Sequence, residues 1–181
     1  MRLLRVSFAI LVGSLLSVAG LRASTSVVFP SFKLNRFESE ELVKLDDFAG
    51  SIVILDFFAY WCVPCRKASS DLEEYVQKFY AAKGGNAAGF PVQVISMNIE
   101  QGRAAKTRQY IKQTGVSLVL DDVDGKVYQS LNGRGIPYVV VLTETAGGSH
   151  WEISYSHAGY EGYEKVREVI DSIRPDDPQA I

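Results

Sequence analysis

The stretch "FFAYWCVPCRKASSDLEEYV", residues 57–76, holds both cysteines of the chain, Cys62 and Cys65. Just before it and overlapping its start runs "SIVILDFFAY", Ser51 to Tyr60, nearly all apolar and rich in β-branched and aromatic residues. Such a run reads as a strand covered on both faces, as in a parallel or mixed sheet. The charge of Asp56 interrupts it. On the C-terminal side the period changes: Cys65, Ala68, Leu72, Tyr75, Val76 and Phe79 recur at three- and four-residue spacing. That predicts a helix from about Cys62 to Tyr80, ended by Gly84 and Gly85. The cysteines therefore fall where a strand ends and a helix begins.

That location has chemical consequences. A helix N-terminus carries partial positive charge and free N–H groups, and both favour a thiolate over a thiol. Cys62, at the start of the helix, is expected to be the attacking sulfur with a lowered pKa. Cys65, one turn in and more enclosed, is expected to resolve. Pro64 suits the first turn, where its missing N–H costs little. Arg66 and Lys67 add positive field or are simply solvated. Structural zinc usually takes four ligands, and His150 and His157 lie far along the chain from the pair, so no metal is expected. An inert structural staple is the other alternative; staples usually close longer loops and do not need a helix N-terminus.

The rest of the chain alternates strands and helices. "SFKL" and "ELVKL" are expected to pair as a hairpin around "NRFESE", and "DDFAG" to turn the chain into the first long strand. "PVQVISMNI" reads as a second buried strand, "GRAAKTRQYIKQT" as a polar helix stopped by Gly115, "SLVL" as a short strand and "GKVYQSLN" as a short helix. "PYVVVLT" is a third strong strand, followed by a turn at Gly147 and Gly148. "HWEISYSHAGY" alternates with a two-residue period that places Trp151, Ile153 and Tyr155 on one face. "GYEKVREVIDSI" closes as an amphipathic helix, and the tail "RPDDPQAI" is expected to fray. The pattern implies an α/β fold with a central sheet and an antiparallel edge. "DDVDGK" is like a calcium loop, but Leu120 and Leu131 stand where ligands belong, so it reads as a turn.

With 181 residues the chain is long enough for one well-packed domain and short for two. Its formal net charge is −2 and no Lys/Arg block stands out, which argues against nucleic acid. The N-terminus "MRLLRVSFAILVGSLLSVAGLRAS" has Arg2 and Arg5, an apolar run from Val6 to Ala19, then small residues at Gly20 and Ala23. This is the layout of a secretory signal, and the run is shorter than the roughly 20 residues of a spanning helix. Residues 1–23 are read as a signal peptide or N-terminal anchor, and 24–181 as the domain. Such a domain works outside the cytoplasm, where disulfides persist.

The segment "LDFFAYWCVPCR" resembles the active-site segment of the thioredoxin superfamily, and the resemblance covers roughly residues 32–174. It is most similar to the periplasmic or membrane-tethered TlpA/ResA-like branch, through "VKLDDFAG", "TRQYIKQTGVSLVLDDVDG" and "GRGIPYVVVL". The resemblance implies a thioredoxin-like fold: a central mixed sheet flanked by helices, with an N-terminal β extension and a central αβ insertion. It implies thiol–disulfide exchange at Cys62–Cys65, commonly reductive in this branch and serving cytochrome c maturation or copper-site assembly. The redox centre is the pair itself, so no cofactor is implied.

Three further positions match the superfamily residue by residue. Asp56 stands where thioredoxins keep a buried acid; burial raises a carboxyl pKa, so it would exchange a proton with Cys65 near neutrality. The alternative is an Asp at a strand end facing solvent, against which Leu55, Phe57 and Phe58 argue. Pro137 in "GIPY" matches a cis-proline facing the cysteines, and would leave the Ile136 backbone to pair with an extended substrate segment; the alternative is a trans proline opening a strand. Trp61 would flank the site as an exposed aromatic contact or pack partly into the core. Gly159 matches, more weakly, a glycine beside the substrate groove. Glu100 and Arg103 lie near the expected site without an assigned role.

The leading expectation is an exported, monomeric oxidoreductase that reduces disulfides of other exported proteins, supplied with electrons by a membrane donor of the DsbD/CcdA type. A disulfide oxidase or isomerase is the first rival. Strong oxidants typically place a His between the cysteines, whereas Val63 adds no charge, which favours a reducing potential. A copper-binding chaperone is the second, since two thiolates can hold Cu(I); copper-delivery relatives usually have a wider cysteine gap and an added His ligand.

Overall fold

The computed structural model describes residues 28–145 and 150–174. The chain enters through three short strands, β1 (Val28–Phe29), β2 (Lys33–Asn35) and β3 (Leu42–Lys44), and a 3-10 turn at Leu45–Phe48. Then come β4 (Ile52–Phe58), helix α1 (Val63–Leu72), a π-helical turn Glu73–Gln77, α2 (Lys78–Lys83), β5 (Val92–Asn98), α3 (Ala104–Thr114) and β6 (Val119–Asp121). The last elements are α4 (Lys126–Ser130), β7 (Tyr138–Glu144), β8 (Trp151–Ala158) and α5 (Tyr163–Ser172). β2 and β3 form the expected hairpin as a separate antiparallel pair. The main sheet has the order β1-β8-β7-β4-β5-β6, with β4, β5 and β6 parallel and β7, β8 and β1 antiparallel to their neighbours. It is the mixed sheet with an antiparallel side that the sequence predicts.

β4 sits between β5 and β7, and every one of its side chains is buried. Alternation sorts them between two cores. Val53, Leu55 and Phe57 pack with Val43, Trp151 and the α4 residue Val127. Ile52 and Ile54 pack on the other face with Leu72, Val76, Tyr80 and the α5 residues Val166 and Ile170. The same period puts Asp56 on the α1 face, between Ile54 and Phe58. A strand with no wet face gives a charged side chain no way out by a change of rotamer.

Two expectations are corrected. The helix after the cysteines is not uniformly α-helical, because the π-turn holds an extra residue per turn. The buried face therefore runs through Leu72, Val76 and Tyr80, while Tyr75 is 45% exposed and stacks on Tyr163. Phe79 is only partly buried and lies under the Arg167 guanidinium. In β8, Trp151, Ile153 and Tyr155 do not share a face. Leu142 pairs with Ile153 and Val141 with Tyr155, so Ser154 is the extra residue of a bulge. Trp151 and Ile153 join the first core and Tyr155 the second. β1 at the far edge, against β8, is an addition that the sequence pattern did not show. The expected N-terminal signal, the turn at Gly147 and Gly148, and most of the tail lie outside the described residues. Among the described residues no helix is long and apolar enough to cross a membrane.

The π-turn also anchors the inserted αβ segment. Glu73 is buried, and its Oε2 accepts from the Ser117 backbone N–H at 3.0 Å and the Ser117 hydroxyl at 3.1 Å. Ser117 is exposed, so removing that acceptor costs the net worth of its hydrogen bonds to a charged group, about 1.5–3 kcal/mol. Glu73→Ala should show that loss in denaturant unfolding, whereas Glu73→Gln, which keeps an acceptor, should cost less than about 1 kcal/mol.

Candidate active site

Cys62 is the N-cap of α1 and Cys65 lies in its first turn, with Pro64 between them at the position where a helix tolerates proline. The two cysteines form a disulfide with their Cα atoms 5.3 Å apart. The Cys65 N–H donates to Cys62 Sγ at 3.2 Å, so the sulfur at the cap already receives a helix N–H. The first turn holds no acidic residue, which leaves the positive end of the helix uncompensated. Cys62 is 4% exposed and Cys65 is fully enclosed. In this disulfide state both cysteines are buried.

Around the pair the exposed large apolar side chains are Trp61 and Val63, at 56% and 69%. Trp61 is held outward by Glu100: its indole Nε1–H donates to Glu100 Oε2 at 2.6 Å. The acid that the sequence left without a role thus fixes the aromatic beside the disulfide. Arg66 is neither free nor merely solvated, since its guanidinium donates to the Tyr60 carbonyl at 3.0 Å and braces the strand-to-helix turn. Lys67 pairs with Asp71 at 2.7 Å.

The Ile136–Pro137 peptide is cis. Ile136 packs against the cluster that contains Cys62 and Cys65. The Pro137 carbonyl accepts from the Gly159 N–H at 2.7 Å, and Gly159 has φ +100°, a backbone that favours glycine. Pro64, Ile136, Pro137, Gly159 and Tyr160 together wall a solvent-open cleft of about 630 Å³ beside the disulfide.

Asp56 is fully buried on the α1 face of β4, in register with Ser96 on β5 and Val139 on β7. Its Oδ2 accepts from the Ser69 hydroxyl at 2.5 Å, and that hydroxyl meets the Tyr110 hydroxyl at 2.7 Å. Its Oδ1 is buried without a hydrogen-bond partner among the described residues, as is the Ser96 hydroxyl in register with Asp56 on β5. Burial pushes the Asp56 pKa up to about 7, with the Ser69 bond pulling the other way. Its two ionisation states are thus close in free energy at neutral pH. A solvent-facing Asp at a strand end is excluded.

Ser69 and Tyr110 were missed in the sequence. Ser69 stands four residues after Cys65, on the helix face that carries Ala68 and Leu72, so a hydroxyl on an apolar stripe was the available signal. Tyr110 stacks on Phe58 at 4.3 Å, a contact between α3 and β4 that no local pattern shows. Among the described residues no third His, Cys, Asp or Glu gathers with the cysteines into a group that could hold a metal.

The profile of the AhpC/TSA family matches residues 26–145. The thiol-disulfide oxidoreductase ResA of Bacillus thuringiensis is 29% identical over 126 residues, covering 58% of this chain and 68% of that protein. Among solved structures, a candidate thiol:disulfide interchange protein DsbE from Chlorobium tepidum superposes with a TM-score of 0.65 at 25% identity, covering 81% of this chain and 95% of that one. StoA from Bacillus subtilis superposes at 0.55 with 22% identity, covering 77% and 96%.

Because Asp56 binds its proton more tightly folded than unfolded, stability should fall as pH rises from about 4 to 7, the interval between the two pKa values. The full cost, roughly 4 kcal/mol, is present above the folded pKa and absent below the unfolded one. Asp56→Asn should flatten this slope, so its stability relative to wild type should rise between pH 4 and pH 8 in denaturant titrations of the oxidised protein. Parallel curves for the two proteins would show that Asp56 does not carry the raised pKa.

Proposed function

The chain belongs to the AhpC/TSA family, and from that premise we propose that it is an extracytoplasmic thiol–disulfide oxidoreductase that reduces disulfides of other exported proteins through Cys62 and Cys65. The observation that carries this reading is the position of the disulfide. It sits at a helix N-terminus, beside an open cleft, on a helix whose Ser69 donates to a buried carboxyl with a near-neutral pKa. A structural staple needs none of these. The ResA relative and the DsbE-like fold neighbour support the same chemistry.

In the proposed cycle the reduced protein presents Cys62 at the helix N-terminus, where free N–H groups stabilise the thiolate. That thiolate attacks a client disulfide, joining Cys62 covalently to the client and releasing one client thiol. Cys65 then gives its proton to Asp56 and attacks Cys62 Sγ, which frees the second client thiol and restores the disulfide. A dithiol donor must reduce the pair again. The basic and apolar N-terminus of the chain supports export, and with it a membrane donor of the DsbD/CcdA type.

Ile136 and Pro137 would receive the client backbone in the cleft, and Trp61, exposed next to Cys62, would add an aromatic contact. Val63 places no titratable group between the cysteines, which favours a reducing centre over a strongly oxidising one. Proteins that present cysteine pairs for haem or copper insertion are the client class this reading favours.

Removing Cys65 should stop the cycle after the first attack. Cys65→Ser, exported in the native host, should accumulate mixed disulfides through Cys62, visible on non-reducing gels and lost on adding reductant. The Cys62→Ser, Cys65→Ser double variant should form none. An exported, folded Cys65→Ser protein without adducts would count against a reductase.

A further inference from the structure

The proposed cycle loads a proton onto a carboxyl that has no contact with solvent. During the second attack the client occupies the cleft at Pro64, Ile136, Pro137 and Gly159, so that side is closed. The proton needs another way out.

We propose that Asp56, Ser69 and Tyr110 form a proton wire that discharges the buried carboxyl into the cleft between α1 and α3, on the side away from the client. The proposal rests on the redox reading above and extends it to two residues that do not touch client or cysteine chemistry directly. Its basis is a continuous chain of buried hydroxyls. Ser69 Oγ lies 2.5 Å from Asp56 Oδ2 and 2.7 Å from the Tyr110 hydroxyl. Ser69 is fully enclosed and Tyr110 is 1% exposed, and among the described residues these two hydroxyls bond to each other and to the carboxyl. Tyr110 in turn lines an open cleft with Tyr60, Trp61, Arg66, Lys106 and Gln109. Of the residues lining this cleft and the client cleft, Lys67 is common to both and marks their border.

At the other end, Ser69 follows Cys65 by four residues, which puts the two side chains on one face of α1, both buried. Asp56 is thus held next to the turn that carries the resolving cysteine. Each element packed around the carboxyl contributes an identifiable group. Ser69 and the cysteines come from α1, Tyr110 from α3 and Ser96 from β5. Charges act at longer range as well, that of Asp56 on Tyr160 and that of Arg66 on Tyr110. Burial and the neighbouring Asp56 hold the Tyr110 pKa far above its usual value. The tyrosine therefore passes a proton by a concerted hop and does not rest as tyrosinate.

The step balances. Cys65–SH gives its proton to the Asp56 carboxylate, and the Cys65 thiolate bonds to Cys62 Sγ. The bond between Cys62 and the client sulfur breaks, and the client leaves as a thiolate that takes a proton from solvent. Two electrons pass from the cysteine pair to the client disulfide over the cycle. The Asp56 proton moves to Ser69 Oγ, the Ser69 proton to the Tyr110 oxygen, and the Tyr110 proton to solvent in the second cleft.

The aromatic disulfide dithiobis-nitrobenzoate separates the two attacks, because each releases one coloured thiolate. With reduced protein in stopped flow, the first release reads Cys62 and the second reads Cys65. Tyr110→Phe keeps the ring that stacks on Phe58 and removes the hydroxyl. It should leave the first release at the wild-type rate, which also shows an intact fold, and slow the second by about tenfold or more. The plateau of the second-release pH profile should drop while its midpoint stays in place. Ser69→Ala should slow the same step, the Ser69→Ala, Tyr110→Phe pair should be no slower than either alone, and Ser69→Thr should retain the rate. A second release at the wild-type rate in Tyr110→Phe overturns the wire. So does a shifted midpoint with an unchanged plateau, which would mean that Tyr110 only tunes Asp56. If reduced wild-type protein gives no first release, the redox reading itself fails, and the wire with it.

Discussion

Everything at this site depends on a carboxyl buried in a strand that has no wet face. β4 lies between a parallel and an antiparallel neighbour, and both of its faces are covered by packed side chains. Asp56 cannot reach water without breaking that packing. Its charge is opposed by desolvation and supported by one hydroxyl, which leaves its proton affinity near neutrality. An acid of that kind is a poor contributor to stability and a well-tuned partner for a thiol. The same strand aims the chain at the turn where Cys62 caps α1, so one element sets both the acid and the position of the disulfide.

The two clefts beside α1 divide the chemistry in space. On one side the Ile136–Pro137 segment, Pro64 and Gly159 form an open wall, the one that takes the client in the proposed cycle. On the other, Tyr60, Arg66 and Tyr110 surround an opening that leads back, through Ser69, to the carboxyl. Covalent exchange with a large partner and movement of a proton have different needs. The first wants surface, the second a short chain of hydroxyls sealed from bulk water. Packing α3 against β4 through the Phe58–Tyr110 stack, and against α1 through the Ser69–Tyr110 hydrogen bond, supplies the second without disturbing the first.

Much of this was legible in the sequence because its signals are local. A nearly unbroken apolar run marks β4, and the change of period fixes the strand-to-helix turn at the cysteines. The hairpin of β2 and β3 and the stop at Gly115 follow from turn residues and spacing. What escaped is non-local or turns on a single extra residue. The bulge at Ser154 flips the face of everything after it, yet leaves the two-residue alternation of "HWEISYSHAGY" intact to the eye. The π-turn keeps Val76 on the buried face but moves that face from Tyr75 and Phe79 to Tyr80 in the same way. Glu100 meets Trp61 across 39 positions, and Tyr110 meets Ser69 across 41, distances over which no periodicity operates.

The claim at the centre of this account is that Cys62–Cys65 is a reducing centre whose disulfide is the resting product of client reduction. Equilibration of the pair with glutathione buffers of defined ratio measures its reduction potential directly. The account predicts a value near that of thioredoxin, roughly −270 mV, because no cation between the cysteines stabilises the reduced form. A value near roughly −120 mV, the range of a strong disulfide donor, would contradict it and make the protein an oxidant of its clients.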